Sequence, residues 1–179
     1  MLYARVPLDR VGVLIGQEGQ TKARLEELTG IKIIIDSETG EVTIDESQAK
    51  DPAYSLKVRD IVTAIGRGFS EERAFLLLDD DMYLQVLDIK EAAGESKQRA
   101  AQIKGRVIGT SGKTRRIIEE LAGVDVSVYG HTVSLIGEAF HLNIARQAVE
   151  MLVNGSEHKT VYRFLERKRG EIKAYEMGL

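Results

Sequence analysis

The sequence predicts an α+β protein made of two successive copies of a β-α-α-β-β-α unit, each a three-stranded antiparallel sheet backed by helices. Three observations lead there. The chain repeats itself; within each copy the apolar period switches between 2 and 3.6 residues; and a Gly-x-x-Gly element interrupts two helical stretches at matching places. The repeat is direct. VGVLIGQEGQTKARLEELTGIKIIID (11–36) aligns without a gap on KGRVIGTSGKTRRIIEELAGVDVSVY (104–129), with 9 of 26 positions identical. Self-similarity of this kind marks a tandem duplication. The expected boundaries are 1–69 for the first copy, 70–81 for a linker helix, 82–156 for the second copy and 157–179 for a C-terminal basic helix.

In the first copy LYARVP (2–7) alternates and is bounded by Pro7, which reads as a strand. Asp9 is the expected N-cap of a short helix running to Ile15. Gly16 to Gly19 break it. A second helix follows, with Leu25 and Leu28 on its apolar face and Gly30 as its stop. IKIIID (31–36) is β-branched, DSETGE is a turn signal, and EVTID (41–45) returns as a hairpin. A helix from about Asp51 to Arg67 closes the copy, with Leu56, Val58, Ile61, Val62 and Ile65 facing inward. Ser70 is a favourable N-cap for the linker helix, with acidic residues in its first turn. Asp79, Asp80 and Asp81 belong to its exit turn and read as a solvated acidic turn rather than a Mg²⁺ site.

The second copy opens with MYLQVLDI (82–89). EAAGESKQRAAQIKG (91–105) is longer than its counterpart. Ile117, Ile118 and Leu121 form the apolar face of the helix after the turn, and Gly123 stops it. VDVSVYG and TVSLIG form the hairpin, and a helix runs on through Arg146 to Val153. In HKTVYRFLERKRGEIKAY (158–175), Lys159, Arg163 and Arg167 fall on one face at i, i+4, i+8, away from Val161, Leu165 and Ile172.

Composition narrows the function classes. Cysteine is absent, which removes disulfides, Cys-based metal sites and Cys nucleophiles. MLYARVPL carries no signal-like apolar stretch, and AFLLL (74–78) is too short for a membrane span. A soluble cytoplasmic protein is expected. The net charge of −3 looks unsuited to nucleic acid, but its distribution is uneven. Residues 1–90 hold 11 Lys and Arg against 17 Asp and Glu, whereas residues 91–179 hold 14 against 11. A polyanion is therefore expected to favour the C-terminal half.

GTSGKT (109–114) looks like the tail of a P-loop, yet the pattern requires glycine five residues before Gly112, where Val107 stands. The first copy has no lysine there. What recurs is Gly16-Gln17-Glu18-Gly19 and Gly109-Thr110-Ser111-Gly112. A tight turn between two helices presents backbone N–H groups at a helix N-terminus, which favours anions. Glycine lets a sugar-phosphate backbone come close. Ile108 and the β-branched strand offer an apolar floor for unstacked bases, while Arg106, Lys113, Arg115 and Arg116 bring positive charge.

Helix, Gly-x-x-Gly, helix within a β-α-α-β-β-α unit resembles the type I KH domain, which clamps about four nucleotides of single-stranded RNA. Across nearly its whole length the chain resembles a tandem pair of these. GVLIGQEGQTK, GRVIGTSGKTRRIIEELAG, VSVYGHTVSLIGE and TVYRFLERKRGEIK are similar to archaeal KH proteins related to the ribosome-assembly factors Dim-two (partner of Nob) and Krr. That resemblance implies binding of small-subunit ribosomal RNA near its 3′ end, assistance to the Nob endonuclease, and no catalytic activity or cofactor. Archaeal relatives further imply association with the alpha subunit of initiation factor two. The expected RNA contacts are Arg106, Ile108, Gly109, Thr110, Ser111, Gly112, Lys113, Arg115 and Arg116, with the basic face of Arg163 and Arg167.

The two turns are not equivalent. Glu18 opposes phosphate, and Gln17-Glu18 departs from the basic residues usual in that family, so Gly16, Gln17, Gly19 and Lys22 form a weaker candidate set. The second copy is the expected RNA site, and the first packs or docks a protein. Two other readings compete. A nuclease or NTPase would draw on Asp79–Asp81, His131, His141, His158 or Lys113-Thr114, but nothing in the sequence pairs these groups. A protein-interaction scaffold, or a translation-related KH adaptor, would touch RNA only through the second copy. Aromatics make up 6% of the chain with no RNP-like strand, which argues against an RRM-style stacking platform.

Overall fold

The computed structural model describes all 179 residues and divides into two compact units, Met1–Asp80 and Asp81–Leu179. In the first unit β1 (Leu2–Arg5), α1 (Leu8–Ile15), a 3-10 turn (Gln17–Gly19) and α2 (Gln20–Thr29) precede the hairpin β2 (Lys32–Ile35) and β3 (Glu41–Asp45). Helices α3 (Tyr54–Gly66) and α4 (Glu71–Phe75) follow. The antiparallel sheet has the order β1-β3-β2, so the last strand lies between the other two.

Period-2 burial explains the strands. Ile33 faces the helices while Lys32 and Ile34 face away, and Val42 and Ile44 alternate likewise with Glu41 and Thr43. The hairpin turn is held by the Asp36 carboxylate, which accepts from the backbone N–H of Glu38 (2.8 Å) and Thr39 (3.2 Å). Those donors favour the charged form and lower its pKa.

Several boundaries and faces differ from expectation. Asp9 lies inside the first turn of α1, and Pro7 occupies the cap position, which suits a residue with fixed φ and no N–H. The α3 core stripe is Val58, Ile61, Val62 and Ile65; Leu56, expected inside, is 52% exposed. It sits two residues from Val58, about 200° round the helix. Leu28 is also exposed, since the buried line of α2 runs through Thr21, Leu25 and Thr29. Ser70 caps α4 as expected, its hydroxyl accepting from Arg73 N.

In the second unit β4 (Met82–Asp88) leads to a short α5 (Lys90–Ala93), α6 (Lys97–Ile108), a 3-10 turn (Thr110–Gly112) and α7 (Lys113–Ala122). Strand β6 (Thr132–Glu138) pairs with both β4 and β5 (Asp125–Tyr129) in the order β4-β6-β5, again antiparallel. Helices α8 (Ala139–Val153) and α9 (His158–Glu176) complete the unit. The long segment after β4 therefore folds as α5 and a lengthened α6, the latter capped by Ser96 accepting from Arg99 N.

Helix α9 is part of this unit's core. It packs on α7 and α8, and buries Val161, Leu165 and Ile172 beside Ile118, Leu121 and Leu152. At its far end Tyr175 stacks on Phe140 of α8, ring centroids 4.5 Å apart. Where α7 ends, Gly123 takes a left-handed conformation (φ 71°) and His141 Nδ1 donates to Ala122 O at 2.8 Å.

Candidate nucleic-acid interface

The two Gly-x-x-Gly turns have the same backbone geometry. Gly16 and Gly109 have φ of 80° and 76°, Glu18 and Ser111 have 55° and 52°, and Gly19 and Gly112 have 75° and 77°. Three of four residues in each turn thus occupy positive φ, one of them without glycine's freedom. A non-glycine residue held there costs roughly 1–2 kcal/mol, a strain typical of functional loops.

The two glycines of each pair do different work. A Cβ on Gly109 would stand 2.7 Å from Thr114 N, and one on Gly16 2.6 Å from Thr21 N. The first glycine is therefore required by packing. A Cβ on Gly19 meets nothing within 4 Å, and one on Gly112 meets only Arg115 Nη2, at 3.7 Å. The last glycine faces open space and is needed for its φ. No side chain caps α2 or α7. Within each turn Gly19 and Gly112 N–H donate to Gly16 and Gly109 O, both at 3.2 Å, and the first helical residues, Gln20 and Lys113, donate to Gln17 and Thr110 O. What each turn offers an anion is therefore the positive end of the following helix rather than a set of unpaired N–H groups.

Side chains separate the two. At the first turn Thr21 Oγ1 donates to Glu71 Oε2 at 2.8 Å, and Arg24 Nη1 approaches Glu71 Oε1 at 3.6 Å. Exposed Gln17 and Glu18 form the apex, and Lys22, the one nearby lysine, pairs with Glu26 at 3.1 Å. Two carboxylates, Glu18 and Glu71, thus stand at or beside this turn. At the second turn Thr110 and Ser111 are exposed hydroxyls, and Lys113 and Arg116 are exposed cations. Arg115 is half-buried and pairs with Glu119 at 3.5 Å. Ile108 is half-buried at the end of α6. The counterpart of Thr21, Thr114, meets not a carboxylate but the Tyr162 hydroxyl of α9, 2.8 Å away.

A cavity of about 640 Å³ adjoins the second turn. It brings together Arg106, Gly109, Thr110 and Lys113 from the expected set, and adds Gln102, Gly105, Thr114, His158 and Tyr162. Arg106 is more anchored than its sequence position implies. Its Nε donates to Leu152 O at 2.9 Å and its Nη2 to Ser156 O, so it staples the end of α8. Arg10 does the same in the first unit, donating to Ile65 O and Phe69 O, both at 2.8 Å. Arg163 and Arg167 are exposed on α9 but do not line the cavity, and the Arg167 guanidinium sits 5.9 Å from the Phe164 ring centroid.

Sequence reasoning missed Gln102, His158 and Tyr162, which no local pattern marks. Thr114 carried a signal, being identical to Thr21 in the repeat. The catalytic alternatives are dispersed. His141 is buried on Ala122 O, His158 Nε2 lies 2.9 Å from Arg106 O, and His131 approaches Asp88 at 3.7 Å. Asp80 pairs with Lys57.

Comparison with known proteins agrees with this geometry in both halves. A family model described as a eukaryotic type KH domain (KH-domain type I) matches residues 83–170, and the KH domain model matches residues 3–51. A KH domain-containing protein of Methanocaldococcus jannaschii is 49% identical over 170 residues, covering 94% of this chain and 74% of the relative. The pre-rRNA-processing protein pno1 of Schizosaccharomyces pombe is 28% identical over 145 residues; the match covers 80% of this chain and 60% of that longer protein. Among solved structures, the complex of a/eIF2alpha, aDim2p and rRNA from Pyrococcus horikoshii contains a chain 48% identical to this one, with a TM-score of 0.89 over 95% of this chain and 94% of that chain. The chain belongs to the Dim2/Pno1 family of tandem KH-domain proteins, alongside its archaeal members.

Proposed function

We propose that this chain is a non-catalytic RNA-binding protein of ribosome assembly that holds single-stranded RNA at its second turn. One observation carries the reading: two turns of the same backbone geometry are flanked by opposite charge. The positive end of a helix attracts phosphate where Lys113 and Arg116 stand beside it, and Glu18 and Glu71 oppose phosphate at the other turn. Ile108, Gly109, Thr110, Ser111 and Gly112 contact the sugar-phosphate backbone and bases in this reading, with Arg115, Arg163 and Arg167 adding charge and Arg106 acting chiefly as a positioning residue.

The relatives supply the substrate class. Pno1 of fission yeast is a pre-rRNA-processing protein, and the Pyrococcus Dim2p was crystallised with rRNA and the alpha subunit of initiation factor two. Within that class the proposed target, implied by the family resemblance, is the 3′ region of small-subunit ribosomal RNA, during assembly and 3′-end maturation in the cytoplasm. The Nob endonuclease and the alpha subunit of initiation factor two are its protein partners. Glu18 and Glu71 favour a protein-docking rather than an RNA role for the first turn.

Binding of a labelled strand matching that 3′ region, beside a scrambled strand of equal length, tests the proposal. Tighter binding of the matched strand, which stays intact in the presence of Mg²⁺, is expected. Equal weak binding of both, or Mg²⁺-dependent cleavage by the purified protein, overturns it.

A further inference from the structure

We infer that the cavity between the second turn and α9 seats one additional nucleotide of the bound strand, flanking those held by the turn. The inference rests on the RNA-binding reading and extends it to residues outside the Gly-x-x-Gly clamp. The cavity's volume of about 640 Å³ falls in the range of small-ligand sites, roughly 300–1,000 Å³.

Its walls divide by chemistry. Lys113 and Arg106 supply positive charge on the turn side. Arg106 is fixed by its bonds to Leu152 O and Ser156 O, so its charge is preorganised and does not collapse onto a ligand. From α9 come the Tyr162 and His158 rings, 6.1 Å apart and tilted by 56°, each with a face on which a base can stack. His158 Nε2 must carry its hydrogen toward Arg106 O, because a carbonyl only accepts. Gln102 lies on the same face of α6 as Gly105, Arg106 and Gly109, and its amide offers a donor and an acceptor to a base edge. At Gly105 the wall is open, since a Cβ there meets nothing within 4 Å.

The repeat did not supply this cavity. At the equivalent place in the first unit the Thr21 hydroxyl meets the Glu71 carboxylate, which repels phosphate. Tyr162 and His158 come from α9, for which the first unit has only the five-residue α4. A phosphate group beside a stacking surface also describes a free mononucleotide, so the two sources are tested separately.

The experiment measures affinity of the full chain for strands of about four and about eight nucleotides, and for free nucleoside monophosphates. Gln102→Glu places a like charge at the cavity, and Gly105→Leu fills its opening. The wild type is expected to bind the longer strand more tightly. The ratio of long-strand to short-strand affinity should fall on the order of tenfold in both variants, the scale of one stacked base. A ratio unchanged from wild type in Gln102→Glu, an exposed position where folding is not at stake, overturns the inference. So does tight binding of a monophosphate by the wild type, which would make this a free-nucleotide site. Absence of binding to either strand by the wild type instead overturns the RNA reading itself.

Discussion

The hydroxyls of Thr114 and Tyr162 stand 2.8 Å apart and tie the helix that leaves the second turn to the C-terminal helix. Thr114 is 2% exposed, so its hydroxyl has no recourse to bulk water if the partner is removed. Tyr162→Phe should therefore lower the stability of the second unit by about 1 kcal/mol, read as a shift in the denaturant midpoint. An unchanged midpoint would show that this bond does not hold α9 in place.

The glycines of the second turn should separate folding from binding. Gly109→Ala forces a Cβ against Thr114 and is expected to destabilise the unit strongly. Gly112→Ala meets open space and should cost only the left-handed penalty, about 1–2 kcal/mol. It should still lose RNA affinity, because the new methyl group stands where a strand approaches. Circular dichroism melting beside an RNA titration checks both.

Arg106 and Lys113 line the same cavity but are expected to behave oppositely. Arg106→Ala removes two charge-assisted bonds to backbone carbonyls and should cost about 2–3 kcal/mol of stability. Lys113→Gln should leave stability nearly unchanged and reduce the salt dependence of RNA binding by about 0.7 in log–log slope, the value for one lost single-strand phosphate contact.

These contrasts show what was legible in the sequence. The element order and both turns were readable because duplication printed the same apolar and glycine pattern twice. Leu28 differs from expectation because it lies at the edge of the α2 stripe, where periodicity gives an apolar residue no direction, and Leu56 because it lies on the far face of α3 from Val58, where its apolar character alone suggested burial. The charge contrast between the turns was readable from Glu18 and Lys113. The role of Glu71, and of Gln102, His158 and Tyr162, was not, since these residues meet the turns through tertiary packing of α4, α6 and α9. For Arg106 the sequence shows a cation but not the Leu152 and Ser156 carbonyls that hold it.

Asp60 gives a pH-dependent prediction. Burial on α3 raises its pKa above the ordinary 3.8, and the Arg59 charge offsets this only in part. The folded state then binds more protons than the unfolded state between the ordinary and the raised pKa. Stability from this group is present at low pH and declines as pH rises through that window. Asp60→Asn should accordingly raise the melting temperature at neutral pH, with the gain shrinking as pH falls toward the ordinary carboxylate range. A lower melting temperature at neutral pH would mean that the charged carboxylate has a favourable partner.

In the proposed function one of two geometrically equal turns binds RNA because of the charge around it. The most direct measurement compares wild type, Thr110→Asp with Ser111→Asp, and Gln17→Asp for binding the 3′ ribosomal strand across a salt series, each checked for folding by circular dichroism. The 110/111 variant is expected to lose binding while Gln17→Asp keeps both the affinity and the salt slope of wild type. Loss of binding in Gln17→Asp, with none in the 110/111 variant, would contradict that reading and move the RNA site to the first unit.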